Sequence, residues 1–107
     1  MTRQHNSLAS GRWQKLNLYE QLGNIGSEIG RALKAENLQD KQAAGYRALE
    51  LFDMTLADRR WHGRGSELAR TREVVCDYLF GDNVYGSNAV NLENYFMSFA
   101  LAARRNK

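Results

Sequence analysis

An all-α chain folded as an antiparallel four-helix bundle with short connections is what the sequence predicts, on three observations. There is no proline anywhere in its 107 residues, so nothing interrupts a long helix. Apolar residues recur at steps of three and four in four separate stretches, the period of a helix face. Between those stretches lie clusters of glycine, asparagine, aspartate and serine, the residues of turns. A chain of this length is one domain, large enough to bury a core without disulfides or metals.

Residues 1–10 are polar and unpatterned, and read as a loose N-terminal arm. The first helix carries Leu18, Leu22, Ile25, Ile29, Ala32 and Leu33 along one stripe. Gly23, Gly26 and Gly30 run beside it, although each costs about 1 kcal/mol against alanine inside a helix. Close packing of another helix or ring against bare backbone accounts for them better than a ligand. Residues 35–39 form a link, and Asp40 is the expected cap of a second helix reaching Ala57. Its inner face would hold Ala44, Ala48, Leu49, Leu51, Phe52, Thr55 and Leu56. The segment DRRWHGRG is a connection, after which Ser66 can cap a third helix with Leu68, Val75 and Leu79 inward. Arg72 falls on that line, where an arginine lays its stem on apolar surface and reaches a carboxylate at the rim.

The stretch YLFGDNVYGSN, residues 78–88, invites a reading as a phosphate or calcium loop. It has neither the Gly-Lys-Ser/Thr ending of the first nor the alternating oxygen ligands of the second. It reads instead as a helix corner, with a left-handed Gly81 ending the third helix and Ser87 or Asn88 capping the fourth. The fourth helix is apolar on two sides. Leu92, Tyr95, Phe96, Phe99 and Ala103 make a core stripe, while Val90, Met97 and Leu101 form a second line nearly opposite. In a four-helix domain no helix is surrounded, so that second line predicts an oligomer interface.

The phrases SLASGRW, EQLGNIGSEIGRAL, RALELFDMTLAD and REVVCDYLFGDNVYGS together resemble a family of short, functionally uncharacterised bacterial proteins. The resemblance covers Ser7 to Arg105. It implies a small helical bundle and brings no catalytic residues with it.

Three function classes compete. The acids Glu50 with Asp53 and Glu73 with Asp77, at helical steps, are similar to the paired Mg²⁺ acids of all-α nucleotide pyrophosphatases. The second pair is spaced by four where that family uses three. Both pairs also lie opposite the apolar faces of their helices, whereas metal acids in bundles project inward. His5 and His62 have no second ligand at metal spacing, and Arg59 and Arg60 stand too close to His62 for the pattern of helical toxin RNases. The lone Cys76 reads as packing rather than as a nucleophile. No metal or cofactor site is therefore expected.

The second class is nucleic-acid binding. Net charge is +3, and arginine outnumbers lysine eleven to four. Arg12 and Trp13 in one segment, and Arg59, Arg60, Trp61 and Arg64 in another, supply guanidinium groups for phosphate and indoles for stacking. Arg104, Arg105 and Lys107 add a basic tail. The third class, and the expected one, is a non-catalytic interaction module that self-associates through its fourth helix and presents basic ends to another macromolecule. An unpaired cysteine, the lack of a leader and the lack of a spanning apolar run predict a cytoplasmic protein with no membrane partner.

Overall fold

Four helices account for most of residues 11–105, the part of the chain that the computed structural model describes. The N-terminal arm, His5 and Lys107 lie outside the described residues. Helix α1 spans Leu18–Lys34, α2 Leu38–Leu56, α3 Gly65–Phe80 and α4 Ala89–Arg105. Short 3₁₀ turns occupy Trp13–Lys15 and Arg59–Arg64, and there is no strand among the described residues.

α1 opens on a reciprocal cap. The Asn17 side chain accepts the Glu20 N–H at 2.8 Å, and the Glu20 carboxylate accepts the Asn17 N–H at 3.0 Å, so two of the helix's orphan donors are satisfied at once. α2 starts earlier than the sequence predicts. Asn37, not Asp40, is its cap: Asn37 Oδ1 accepts the Asp40 N–H at 2.8 Å, and Asp40 Oδ2 accepts from Asn37 Nδ2 at 2.9 Å. Two cap-forming residues stand three apart, and the arrangement that places the acid in the first turn uses both.

Ser66 is not the cap of α3. The 3₁₀ turn after α2 is capped by Asp58 and runs directly into α3, with Gly65 already helical and its N–H donating to the His62 carbonyl. Gly81 ends α3 in an extended conformation rather than the left-handed one expected. A Cβ there would lie 3.0 Å from the Asp77 carbonyl oxygen, so crowding is what favours glycine. The left-handed turn residues are Asn83 and Gly86 instead. Asn88 caps α4 by accepting the Asn91 N–H at 2.8 Å.

The helices run up, down, up, down. α1 lies between α2 and α4, whereas α3 leans mainly on α2. Glycine sets the distance between α1 and α4. A Cβ on Gly26 would fall 2.4 Å from Phe96 Cβ, and one on Gly23 3.3 Å from the Ala100 Cα. These are the close helix approaches that the sequence implies. Gly30 departs from that pattern, with nothing within 4 Å of its absent side chain.

The core joins Ile25 and Ile29 of α1, Ala48 and Phe52 of α2, and Val75 of α3 with Phe96 of α4. Phe52 and Phe96 meet edge to face at 6.1 Å, the geometry aromatic quadrupoles favour. Because α2 is flanked by both α1 and α3, it also buries Gly45 and Met54, while Leu49 and Leu56 are only half-buried. Tyr95, expected in the core, is exposed at the edge, its ring against Phe96 and Phe99.

Candidate functional site

Three segments far apart in sequence converge on one end of the bundle. The residues before α1, the 3₁₀ turn after α2 and the last turn of α4 meet there because neighbouring helices are antiparallel. Gln21 reaches Asp58, Tyr19 stacks on Phe99, and Gly23 abuts Ala100. The two arginine–tryptophan segments are thus adjacent, but their side chains divide into two groups.

One group is structural. Trp13 is wholly buried, and its indole Nε1 donates to Thr55 Oγ1 at 3.1 Å. It is closed to any nucleobase, which removes it from the expected nucleic-acid contacts. Arg60 is also committed: it donates to Asp58 Oδ2 at 2.7 Å and to the Leu16 carbonyl at 2.8 Å. Buried Gln21 ties the group together, donating to the Trp13 carbonyl at 2.9 Å and accepting from Trp61 Nε1 at 2.9 Å. Every buried polar group in this cluster has a partner, the condition under which such networks rigidify a structure.

The other group faces solvent. Arg12, Arg59, Arg64, Arg104 and Arg105 are exposed. Trp61 is half-buried, with the Arg60 guanidinium 4.5 Å from its ring centroid.

The Arg60 guanidinium, donating to Asp58, is the main reason that carboxyl is held down at about 2 from its ordinary 3.8. Folded Asp58 therefore takes up a proton less readily than the unfolded chain. Its stabilising contribution is complete above about pH 4 and is lost as pH falls towards 2. Arg60 is partly exposed at the rim, so screening limits the effect to on the order of 1–2 kcal/mol. Urea midpoints measured between pH 5 and 2 should fall for the wild type. Asp58→Asn should lack that component of the fall; a parallel fall in both would show that other carboxylates carry it.

The acid pairs are not assembled. Asp53 accepts from Arg72 Nε at 2.9 Å, so Arg72 has the rim carboxylate its position predicts. Asp77 holds the corner after α3, accepting the Val84 N–H at 2.9 Å and the Tyr85 N–H at 3.1 Å. Among the described residues no group of three or more His, Cys, Asp or Glu is placed to share a metal ion.

α4 places Val90, Met97 and Leu101 outward, 66%, 54% and 42% exposed. Beside them a groove of about 640 Å³ runs between α1, α2 and α4, with Gly30, Ala43 and Met97 among its walls. Arg31, Lys34, Asp40 and Arg47 of α1 and α2 line it together with Glu93 of α4. Buried Glu28 pairs with both Arg31 and Arg47, whereas Lys34 has no ion pair among the described residues.

Gln21 and Asp58 do not stand out in the sequence, and Asp77 does so only as half of an acid pair, not as the residue that holds the corner. The legible signal was an aspartate two residues before an arginine at a helix exit, and another just before a turn-rich stretch. No described helix is long and apolar enough to cross a membrane. No protein-family model, curated protein or solved structure matches the chain.

Proposed function

We propose that this protein is a non-catalytic helical interaction module that self-associates through α4. The observation that carries the reading is the exposed apolar line Val90, Met97 and Leu101, on a helix whose opposite side is already filled by Leu92, Phe96 and Ala103. A water-facing apolar line of this kind is the signature of a contact surface.

The groove beside α4 suits a two-fold pair, in which the α4 ridge of each copy lies in the groove of the other. An isologous contact needs its ridge and its groove on one face, as here. Glu93 of each copy would then approach Lys34 of its partner's groove, which favours one register. A single half-buried thiol, Cys76, with no second cysteine in the sequence, suits a reducing compartment. Asp53 and Asp77 already hold an arginine and a loop, which argues against the Mg²⁺-dependent pyrophosphatase reading.

The double variant Met97→Glu with Leu101→Glu should run as a monomer in sedimentation velocity while its helical circular dichroism is unchanged, both side chains being exposed. An unaltered sedimentation coefficient in that variant would remove α4 from the interface.

A further inference from the structure

The basic end of the bundle carries a second surface, which begins where the α4 line ends at Leu101. We propose that it binds single-stranded nucleic acid, with one base entering a cleft beside Trp61 and the neighbouring phosphates held by Arg59, Arg64 and the α4 terminus.

The cations at this end divide into one already paired and several that are not. The one buried acid at this end, Asp58, is matched by Arg60. Arg12, Arg59, Arg64, Arg104 and Arg105 make no ion pair or side-chain hydrogen bond among the described residues. Their guanidinium groups are therefore presented to solvent. All are arginines, whose planar fork matches phosphate oxygens in pairs.

A cavity of about 400 Å³ opens between the first turn of α1 and the 59–64 turn, walled by Tyr19 and Trp61 with Arg60 and Arg64 among its lining. Aromatic walls flanked by arginine are what an unpaired base stacks on. A duplex keeps its bases stacked inside and has none to insert. Gly63, at the edge of the cleft, has nothing within 4 Å of its absent Cβ, so chain can approach its backbone closely.

Two other anionic partners fit less well. A membrane surface needs apolar side chains to insert beside the cations. Among the described residues the most exposed apolar ones, Val84, Leu38 and Val90, belong to the opposite end, where α2 and α4 begin. An acidic peptide would use the arginines but leave the aromatic cleft unexplained.

The test is fluorescence anisotropy of labelled oligo-dT and oligo-U, with Trp61 emission as the second readout. Trp13 is buried, so quenching by the oligonucleotide reports Trp61. Binding should weaken steeply between 50 and 200 mM salt, about 0.7 in log–log slope for each phosphate contacted. Arg64→Gln and Arg59→Gln should each lower that slope by about one contact and weaken binding severalfold for every sequence. Both residues are exposed, so the fold is retained. A duplex of the same length should bind more weakly and leave Trp61 unquenched.

Several results would overturn the proposal: no oligonucleotide binding at 50 mM salt, equal binding by the glutamine variants, or equal binding of the duplex. Sedimentation with phosphatidylserine vesicles in the absence of oligonucleotide binding would likewise overturn it, in favour of a lipid surface. Repeating the titration on a Val90→Glu, Met97→Glu variant, whose changes lie about two turns or more from Arg104 and Arg105, separates this surface from the α4 line: anisotropy reads one and sedimentation the other.

Discussion

Replacing Trp13 with alanine should lower the unfolding free energy by about 3–5 kcal/mol, the range for emptying a buried aromatic site. For a domain whose whole stability is about 5–15 kcal/mol, that is a large fraction. The reason lies in what the indole joins. Its ring is wholly buried in the core, its Nε1 donates to Thr55, and its carbonyl accepts from Gln21. Gln21 in turn holds Trp61 and Asp58. Trp13→Phe keeps most of the bulk but leaves the Thr55 hydroxyl without its donor, at a cost of about 1–3 kcal/mol. Urea denaturation of the two variants should therefore rank alanine well below phenylalanine, and both below wild type. A loss under 1 kcal/mol for the alanine variant would mean that this segment does not brace the bundle.

Adding one methyl group to α1 should have opposite effects at two glycines one helical turn apart. At Gly26 the new Cβ would sit 2.4 Å from Phe96 Cβ. That atom is anchored to the α4 backbone and cannot rotate away, so the two helices must separate. The overpacking cost of about 1–3 kcal/mol or more outweighs the helix-propensity gain of about 1 kcal/mol. At Gly30 nothing stands within 4 Å, so Gly30→Ala keeps the propensity gain and should raise the melting temperature. The pair is decisive because both substitutions change the unfolded chain alike. If Gly26→Ala also raised the melting temperature, α4 would not approach α1 as closely as the structure places it.

The sequence held the helices, their order and most of their inner faces, because apolar spacing is a local property. Cap positions slipped by up to three residues where several cap formers compete, as at Asn37 and Asp40. Tyr95 shares the helical step of Phe96's stripe, yet lies at the edge because α3 leaves that side of α4 open. The candidate site was legible in composition but not in allocation. Arg59 and Arg60 are adjacent and chemically identical. Only the path of the chain through the 59–64 turn makes Arg60 a strut and leaves Arg59 in solvent. Trp13 and Trp61 looked equivalent for the same reason. What separates them is a contact with Thr55, far along the chain, which no local pattern encodes. Asp77 looked like half of a metal pair because its spacing from Glu73 is helical. Its real task depends on the backbone reversing after Gly81.

The glycine-lined contact between α1 and α4 also bears on the order of assembly. It joins the first and last helices, so closing it orders the longest stretch of chain and carries the largest loop-closure entropy. The α1–α2 hairpin, linked by a few residues, closes a much shorter loop and forms sooner. Docking of α4 is then expected to be the late step, made onto a hairpin whose Phe52 and bare Gly23–Gly26 backbone would be uncovered until it arrives. A strip of that kind is the surface through which partly folded chains would associate wrongly. By tying the α3–α4 corner to α3, Asp77 shortens the search that α4 must make and so limits how long the strip stays open.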